Sequence, residues 1–476
     1  MFRTNSNDLS LDELKKFIRL HKEKYKRYKF LQDYYRGEHS IISEGGASRD
    51  KDNKIVNPYP KYITDFNTGF FMGKGIKYIA ADIEGTEDDE FLETYTEICD
   101  HNNETKENLI LAKTCSIKGE AYEVLWINED GDIRFKVIQP ENAFLIYDMS
   151  IEDKPIYGVR YYRSSVDGIT TDFAEIYDAN TKRTFSTGKD KTLKLVEEVY
   201  HPFGAVPLIH FKNNAELQGD FEQVISLIDA YNREQSNTLN DMDEFSDAYL
   251  ALIGYQASDR EDIEKMKKDK ILLLDQDGNA KWLIKDINDA WVENMKLRLN
   301  KDIHKFSFTP DFSDESFGTN VPGVSLRLKL LTSEELRNTK EMYFREAVTQ
   351  RMDLIASYLN ITNSKKLVTS QIGMQFSDSL PQNLLELTQI VQNLSNDVST
   401  ETRLSLLPFI QNPADEIEKK IQEDKDAMEK GMSMYQNLGA DHEDDEKVLG
   451  EEKRTKPIGF IKWIRVYSTQ IRKILH

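Results

Sequence analysis

Cysteine is nearly absent from this chain. The two that occur in 476 residues, Cys99 and Cys115, stand at no metal-ligand or redox spacing, which excludes a disulfide scaffold and a zinc finger. No apolar run approaches the roughly 20 residues of a bilayer span. The N-terminal MFRTNSNDLSLDEL also lacks the basic then apolar order of a secretion signal, so a soluble protein in a reducing cytoplasm is expected. Cations are in deficit: 63 Lys and Arg face 83 Asp and Glu, a formal net charge of -20. A protein that grips a phosphate backbone broadly needs a cation beside each phosphate, so that class is excluded. DNA is not excluded as a neighbour, because a surface that lets it pass without sticking wants this sign.

Motif chemistry is missing as well. There is no HExxH, CxxC, GxSxG, GxGxxG or Walker lysine. The GFFMGKG run from Gly69 to Gly75 looks like a phosphate loop but is one residue short, has no Ser or Thr after Lys74, and follows a helical pattern. His201 and His210 lie in apolar sequence without Cys or carboxylate partners at ligand spacing, so core or turn histidines are expected. Acid runs such as Asp88-Asp89-Glu90 read as solvated faces. Neither catalysis nor a metal nor a cofactor is expected.

What is present is a globular composition, 39% hydrophobic and 31% charged, in a chain too long for one core. The fold class expected is α+β, predominantly helical. Leu9 to Arg36 reads as a helix with Ser10 as N-cap and Glu13 closing a capping box. Ile63, Phe66, Phe70 and Phe71 mark a second helix, and residues 88–122 are mostly helical. Strand patterns follow at 121–126, 133–138, 143–147, 156–162, 172–177 and 193–200, and HPFGAVPLIHF, 201–211, closes them with a buried strand.

Residues 220–252 read as one long helix, about 45 Å in extent, with a largely polar middle from Asn232 to Asn240. Such a thinned apolar face suits a helix packed against copies of itself. Residues 253–285 form a small insert: a helix over Asp259 to Lys268, then strands Ile271 to Leu274 and Ala280 to Ile284 as a hairpin. After it, residues 286–306 give a half-apolar helix ended by Pro310. The loop from Phe308 to Gly323, FTPDFSDESFGTNVPG, sets Asp311, Asp314 and Glu315 beside Phe308, Phe312 and Phe317. A longer helix runs on through Phe344, Val348, Met352, Ile355 and Leu359.

Strand character at 365–374 precedes helices over 384–394, after Ser399, and from Pro413 to about Met434. Residues 440–452 are an acidic linker. Residues 456–476, with Ile458, Phe460, Ile464 and Ile471 among Lys462, Arg465, Arg472 and Lys473, read as a basic amphipathic helix. Two other readings of the chain stay open: an acidic metal-dependent nuclease, and a cytoplasmic scaffold anchored to membrane by this tail.

The pieces YYRGEHSI (34–41), NKIVNPYPKYITDFNTGFFMGKGIKY (53–78), AKTCSIKGEAYEVLW (112–126), GDFEQVISLIDAYNREQSNTLNDMDEFSDAYLAL (219–252) and DIHKFSFTPDFSDESFGTNVPGVSLRLKLL (302–331) carry a resemblance by their order. So does FSDSLPQNLLELTQIVQNLSNDVSTETRLSLLPFIQNPADEIEKKIQED, 376–424. Together they resemble the portal proteins of tailed bacteriophages, of the type found in long non-contractile-tailed phages of Gram-positive hosts. The resemblance implies a homo-oligomeric ring, about twelve subunits, at one capsid vertex in the virion, after assembly in the host cytoplasm. It implies a conduit for double-stranded DNA without sequence-specific binding.

By position, residues 1–218 and 324–380 resemble the wing, 219–252 and 286–306 the stem, and 253–285 the clip. Residues 307–323 resemble the tunnel loop and 381–440 the crown, with 441–453 the acidic linker and 454–476 the tail. Implied partners are the terminase large subunit, a head-completion adaptor, and scaffolding and major capsid proteins. Phe308, Phe312, Asp314, Glu315, Phe317 and Thr319 are then expected to face DNA. Asp259, Lys265, Lys268, Asp275 and Asp277 are expected on the clip's docking surface. The loop base departs from the family pattern: Val321-Pro322-Gly323-Val324 stands where a small-residue turn is usual. The basic tail is a second departure.

Overall fold

The computed structural model describes residues 2–5, 8–43, 52–81, 90–166, 168–188, 192–246, 249–253, 264, 279–283, 289–313, 323–363, 366–376, 384–407, 410 and 413–440. They belong to two compact units, Met1–Leu380 and Pro381–His476.

The first unit opens with strand β1 (Phe2–Arg3) and helix α1 (Leu11–Glu23). The capping box forms as its sequence spacing predicts: the Glu13 amide donates to the Ser10 hydroxyl at 3.3 Å, and the Ser10 amide to the Glu13 carboxylate at 3.2 Å. The single helix expected over 9–36 is two, because the chain breaks at Lys24 before α2 (Tyr25–Arg36). The break brings Lys24 to the buried Glu120 at 3.2 Å. Then come α3 (Ser40–Ser43), α4 (Tyr59–Met72), β2 (Ile76–Ala80), α5 (Glu90–His101) and α6 (Glu104–Lys118).

Strands β3 (Glu120–Ile127), β4 (Ile133–Ile138), β5 (Ala143–Tyr147), β6 (Pro155–Val166), β7 (Ile169–Tyr177), β8 (Thr181–Thr187), β9 (Leu193–Tyr200) and β10 (Leu208–Lys212) follow. They make two sheets, one of six strands in the order β1-β5-β6-β7-β8-β9 and one of three in the order β10-β3-β4. The strand patterns in the sequence mark all of these except β1 and β8. Strand β8, TKRTFST, is polar apart from Phe185, so it shows no alternation until β7 and β9 pair with it. Gly119 joins α6 to β3 in a left-handed conformation, φ +87°, and a Cβ there would stand 1.9 Å from the Leu217 carbonyl oxygen.

Helix α7 (Ile225–Ser246) corrects one expectation. It is shorter than 220–252, because Tyr249–Ile253 is a strand, β11, paired antiparallel with β12 (Asn279–Leu283). An apolar run of that length fits a helix end or a strand, and pairing decides. The strand expected at Ile271 to Leu274 and, apart from Glu264, the helix expected at Asp259 to Lys268 lie outside the described residues.

One face of the polar middle of α7 is occupied by the chain itself. Asn232, Ser236 and Asn240, spaced by four on one helical face, are buried against the chain's own residues 53–57. The amides of Asn57, Ile55 and Asn53 donate to them in turn at 2.8, 2.9 and 2.8 Å. A polar helix stripe thus replaces a strand ladder for an extended segment.

Helix α8 (Asp289–Phe306) packs on α7, and the 41-residue α9 (Gly323–Asn363) buries Phe344, Val348, Met352, Ile355 and Leu359, the spacing read from the sequence. These residues join α4–α6 and β3, β4 and β10 in the largest core cluster. Strand β13 (Ile372–Phe376) pairs antiparallel with β2, which stitches the far end of the unit to its beginning. In the second unit, α10 (Leu384–Asn393), α11 (Thr400–Ser405) and α12 (Pro413–Ala440) match the expected helices. The Ser399 hydroxyl accepts the Thr402 amide at 3.2 Å as its cap. The acidic linker and the basic tail lie outside the described residues.

Candidate functional site

The place where α8 turns into the 307–323 loop is built with more care than a surface loop requires. Helix α8 ends at Phe306, before Pro310 rather than at it. What stops it is Phe308, whose φ of 55° is left-handed. The Thr309 amide reaches back to the His304 carbonyl at 3.1 Å, the long closing bond of a Schellman cap, and Pro310 then prevents any resumption of the helix. The residue in that cap position is usually glycine, and a side chain there costs about 1–2 kcal/mol. The chain bears this strain with a phenylalanine that is 47% exposed.

The carbonyls of Phe308, Thr309 and Pro310 are each held. The Ser333 hydroxyl of α9 donates to the Phe308 carbonyl at 2.7 Å, the His304 ring nitrogen Nδ1 stands 3.1 Å from the Thr309 carbonyl, and the Tyr62 hydroxyl of α4 donates to the Pro310 carbonyl at 2.8 Å. Ser307, Thr309 and Ser333 are buried. Asp311, one of the loop's acids, turns inward: its carboxylate accepts Asn300 Nδ2 at 2.7 Å and the Ser313 hydroxyl at 2.5 Å. Tyr59 donates in turn to Asn300 Oδ1 at 2.6 Å. Partial burial would raise the Asp311 pKa, but the bonds from Ser313 and Asn300 and the nearby His304 outweigh it and hold the carboxyl below its ordinary value.

The aromatic side chains take the opposite course. Phe312 is 50% exposed, its ring 5.7 Å from Phe66, which stacks on Phe70 at 5.6 Å. Helix α4 thus carries an aromatic ledge that continues into the loop. Of the residues expected to face DNA, Phe308 and Phe312 are placed here. Asp314, Glu315, Phe317 and Thr319 lie outside the described residues, as do Asp259, Lys265, Lys268, Asp275 and Asp277. The bracing residues Tyr59, Tyr62, Asn300, His304 and Ser333 escaped the sequence reading, since their partners lie on other elements. The only local signal for them is the density of aromatic and polar residues in NPYPKY and DIHKFS.

The two histidines singled out earlier divide. His201 is buried at a turn, whereas His210 does have a carboxylate partner, Glu120, at 2.9 Å. Glu120 is ninety positions away in sequence and invisible to spacing. Burial raises that carboxyl's pKa, but His210, Lys24 and Tyr28 together hold it well below the usual range. Among the described residues no cluster of three or more His, Cys, Asp or Glu could hold a metal ion, and no helix is long and apolar enough to cross a membrane.

A family model described as phage portal protein, SPP1 Gp6-like, matches residues 14–430. The chain belongs to the phage portal protein family. Two relatives, each named portal protein, support this. That of Bacillus phage SPP1 is 22% identical over 418 residues, covering 83% of this chain and 79% of the relative. That of Clostridium phage phiCD119 is 22% identical over 433 residues, covering 84% and 93%. A solved chain from the neck of an empty GTA particle, computed with C6 symmetry, aligns at a TM-score of 0.45 and 13% identity, covering 77% of this portal-family chain and 97% of that one.

Proposed function

We propose that this portal-family chain assembles as a closed ring of identical subunits at one capsid vertex, through which double-stranded DNA passes during packaging and ejection. In this reading the 307–323 loop meets the DNA. The observation that carries it is the loop root: a strained cap, fastened on three sides, that presents Phe308 and Phe312 outward. A loop with such a root holds its aromatic residues in place while a polymer slides past, and Asp314 and Glu315 discourage tight phosphate binding.

Two further observations support the ring. Leu239 and Met242 on α7 and Trp291 and Leu297 on α8 are exposed, apolar surface that a neighbouring copy would cover. The net charge of -20, repeated around a closed ring, makes a channel that repels DNA from all sides. Residues 1–218 and 324–380 then serve as wing, 219–252 and 286–306 as stem, 253–285 as clip and 381–440 as crown. No catalytic step is assigned to the chain, and the work of packaging comes from an ATP-driven terminase docked on the clip, replaced later by a head-completion adaptor.

Mass measurement and negative-stain images of the purified chain test the ring: particles with a central hole support it, and compact monomers overturn it. Pull-downs with residues 255–283 deleted test the clip. Unchanged terminase binding would remove that assignment. An assembled structure with Phe312 on the outer rim would remove the loop from the channel.

A further inference from the structure

We propose that the open edge of the six-stranded sheet is a docking groove for an extended segment of a partner protein. That segment carries basic residues opposite Glu197 and Glu198 and a tyrosine or similar side chain facing the adjoining cleft. Strand β9 is the last of its sheet, and from Lys194 to Tyr200 every residue is exposed. Four of these are large and apolar: Leu195, Val196, Val199 and Tyr200, the last 69% exposed. Natural sheet edges are blunted by short length, charge, proline, a bulge or a covering element. β9 has no proline and no covering strand among the described residues; it carries Lys194, Glu197 and Glu198, and its pairing with β8 shifts register between Thr184 and Phe185, so the regular stretch of the edge is 197–200. Its backbone is a template for one more strand.

The specificity element lies beside it. Between the two sheets is a cleft of about 350 Å³, walled by Trp126 and Ile138 on one side and by Tyr177, Lys182 and Val199 on the other. Lys182 and Val199 are paired in register, so they point to the same face. A strand added next to β9 sends every second side chain to that face, and hence toward the cleft. His201, 8% exposed, also lines it, with neither ring nitrogen paired to a side chain. The wall is apolar at Trp126, Ile138 and Val199 and charged at Lys136, Arg160, Glu175 and Lys182, and an aromatic ring with a polar tip meets both kinds of surface.

The charge of the occupant follows from the strand itself. β9 carries two acids and one lysine in a chain of net charge -20, and opposite charges across a strand pair are favourable. The proposal requires that assembly of the subunits leave β9 uncovered.

The test uses the full-length chain and a fluorescein-labelled eight-residue peptide of alternating lysine and valine with one central tyrosine, read by fluorescence anisotropy. Saturable binding is expected. It should weaken at least tenfold when two valines of the peptide become proline, and equally in a Glu197→Lys, Glu198→Lys, Val199→Lys variant, whose changes are all on exposed positions. No saturable binding would overturn the proposal, as would equal binding of the proline peptide, since that is nonspecific attraction to an acidic protein. Amide exchange of β9 without peptide distinguishes a second copy: strong protection in the purified oligomer would show that the edge is already covered by this chain and overturn the partner assignment.

Discussion

Replacing Arg351 by methionine is expected to lower the stability of the Met1–Leu380 unit by about 3–5 kcal/mol, the usual cost of removing one partner from a buried ion pair. Arg351 is 0% exposed in the middle of α9. Its Nε and Nη2 donate to Glu123 at 2.7 and 2.9 Å, its Nη1 to Glu104 at 3.1 Å and its Nη2 to Asn108 at 2.8 Å. The guanidinium also lies 4.7 Å from the Phe135 ring centre and 5.8 Å from that of Phe211. Burial alone would lower its pKa, but Glu123 and Glu104 hold it well above the ordinary value, so the cation persists in the core. Methionine keeps much of the volume and none of the charge. Two carboxylates then share a dry site with nothing to balance them.

Urea denaturation at neutral pH measures the loss, and adding Glu123→Gln to the variant should recover at least 1 kcal/mol, roughly a hydrogen-bonded buried group's worth. The sign of the pH dependence is a second check. Burial already holds the Glu123 carboxyl above its ordinary value with Arg351 opposing that shift; without the arginine the shift grows, so the deficit is full at high pH and shrinks as pH falls through the folded pKa. A single variant that loses less than about 1 kcal/mol, or whose deficit ignores both pH and Glu123→Gln, would refute the account of this core as a charge-balanced network.

Three other outcomes are expected. Phe308→Gly should leave stability within about 1 kcal/mol, since the relieved left-handed strain offsets added backbone freedom, while DNA packaging in a complementation assay falls; normal packaging would mean the ring is not kept for DNA. Ser333→Ala strands the Phe308 carbonyl and should cost about 1–3 kcal/mol, with faster hydrogen exchange at the Thr309 amide; unchanged exchange would show that Ser333 does not brace the loop. His21, buried beside Tyr161, has its pKa lowered to about 4 by burial and by Lys24, from an ordinary 6.5. The unfolded chain therefore binds the proton first, and up to about 3 kcal/mol of stability is lost as pH falls from neutral through that window. In His21→Gln the urea midpoints at pH 7 and pH 4.5 should lie closer together than in the native chain.

Much of the fold could be read because its signals are local. The Ser10 cap, the strands at 133–138, 143–147 and 193–200, and the core stripe of α9 each follow from neighbours in sequence. The misreadings share one cause. Asn232, Ser236 and Asn240 looked like a weak helical face because their partners, residues 53–57, lie far upstream in the chain. Tyr249–Ile253 passed for a helix end because its strand partner, Asn279–Leu283, lies at the far end of the insert. Nothing near Arg351 in sequence signals its buried role, since its partners Glu104 and Glu123 come from α6 and β3.

The sequence by itself determined the helical bias, the order of elements, the family likeness and the place of the 307–323 loop, because periodicity, caps and turn residues act over a few positions. Only the tertiary structure decided how that loop is rooted. Phe308 is left-handed, and Ser333, Tyr62, Asn300 and His304 hold the turn from three different helices. Such a root exists only when distant segments meet, because each buried carbonyl or carboxylate must find its donor wherever the fold places one.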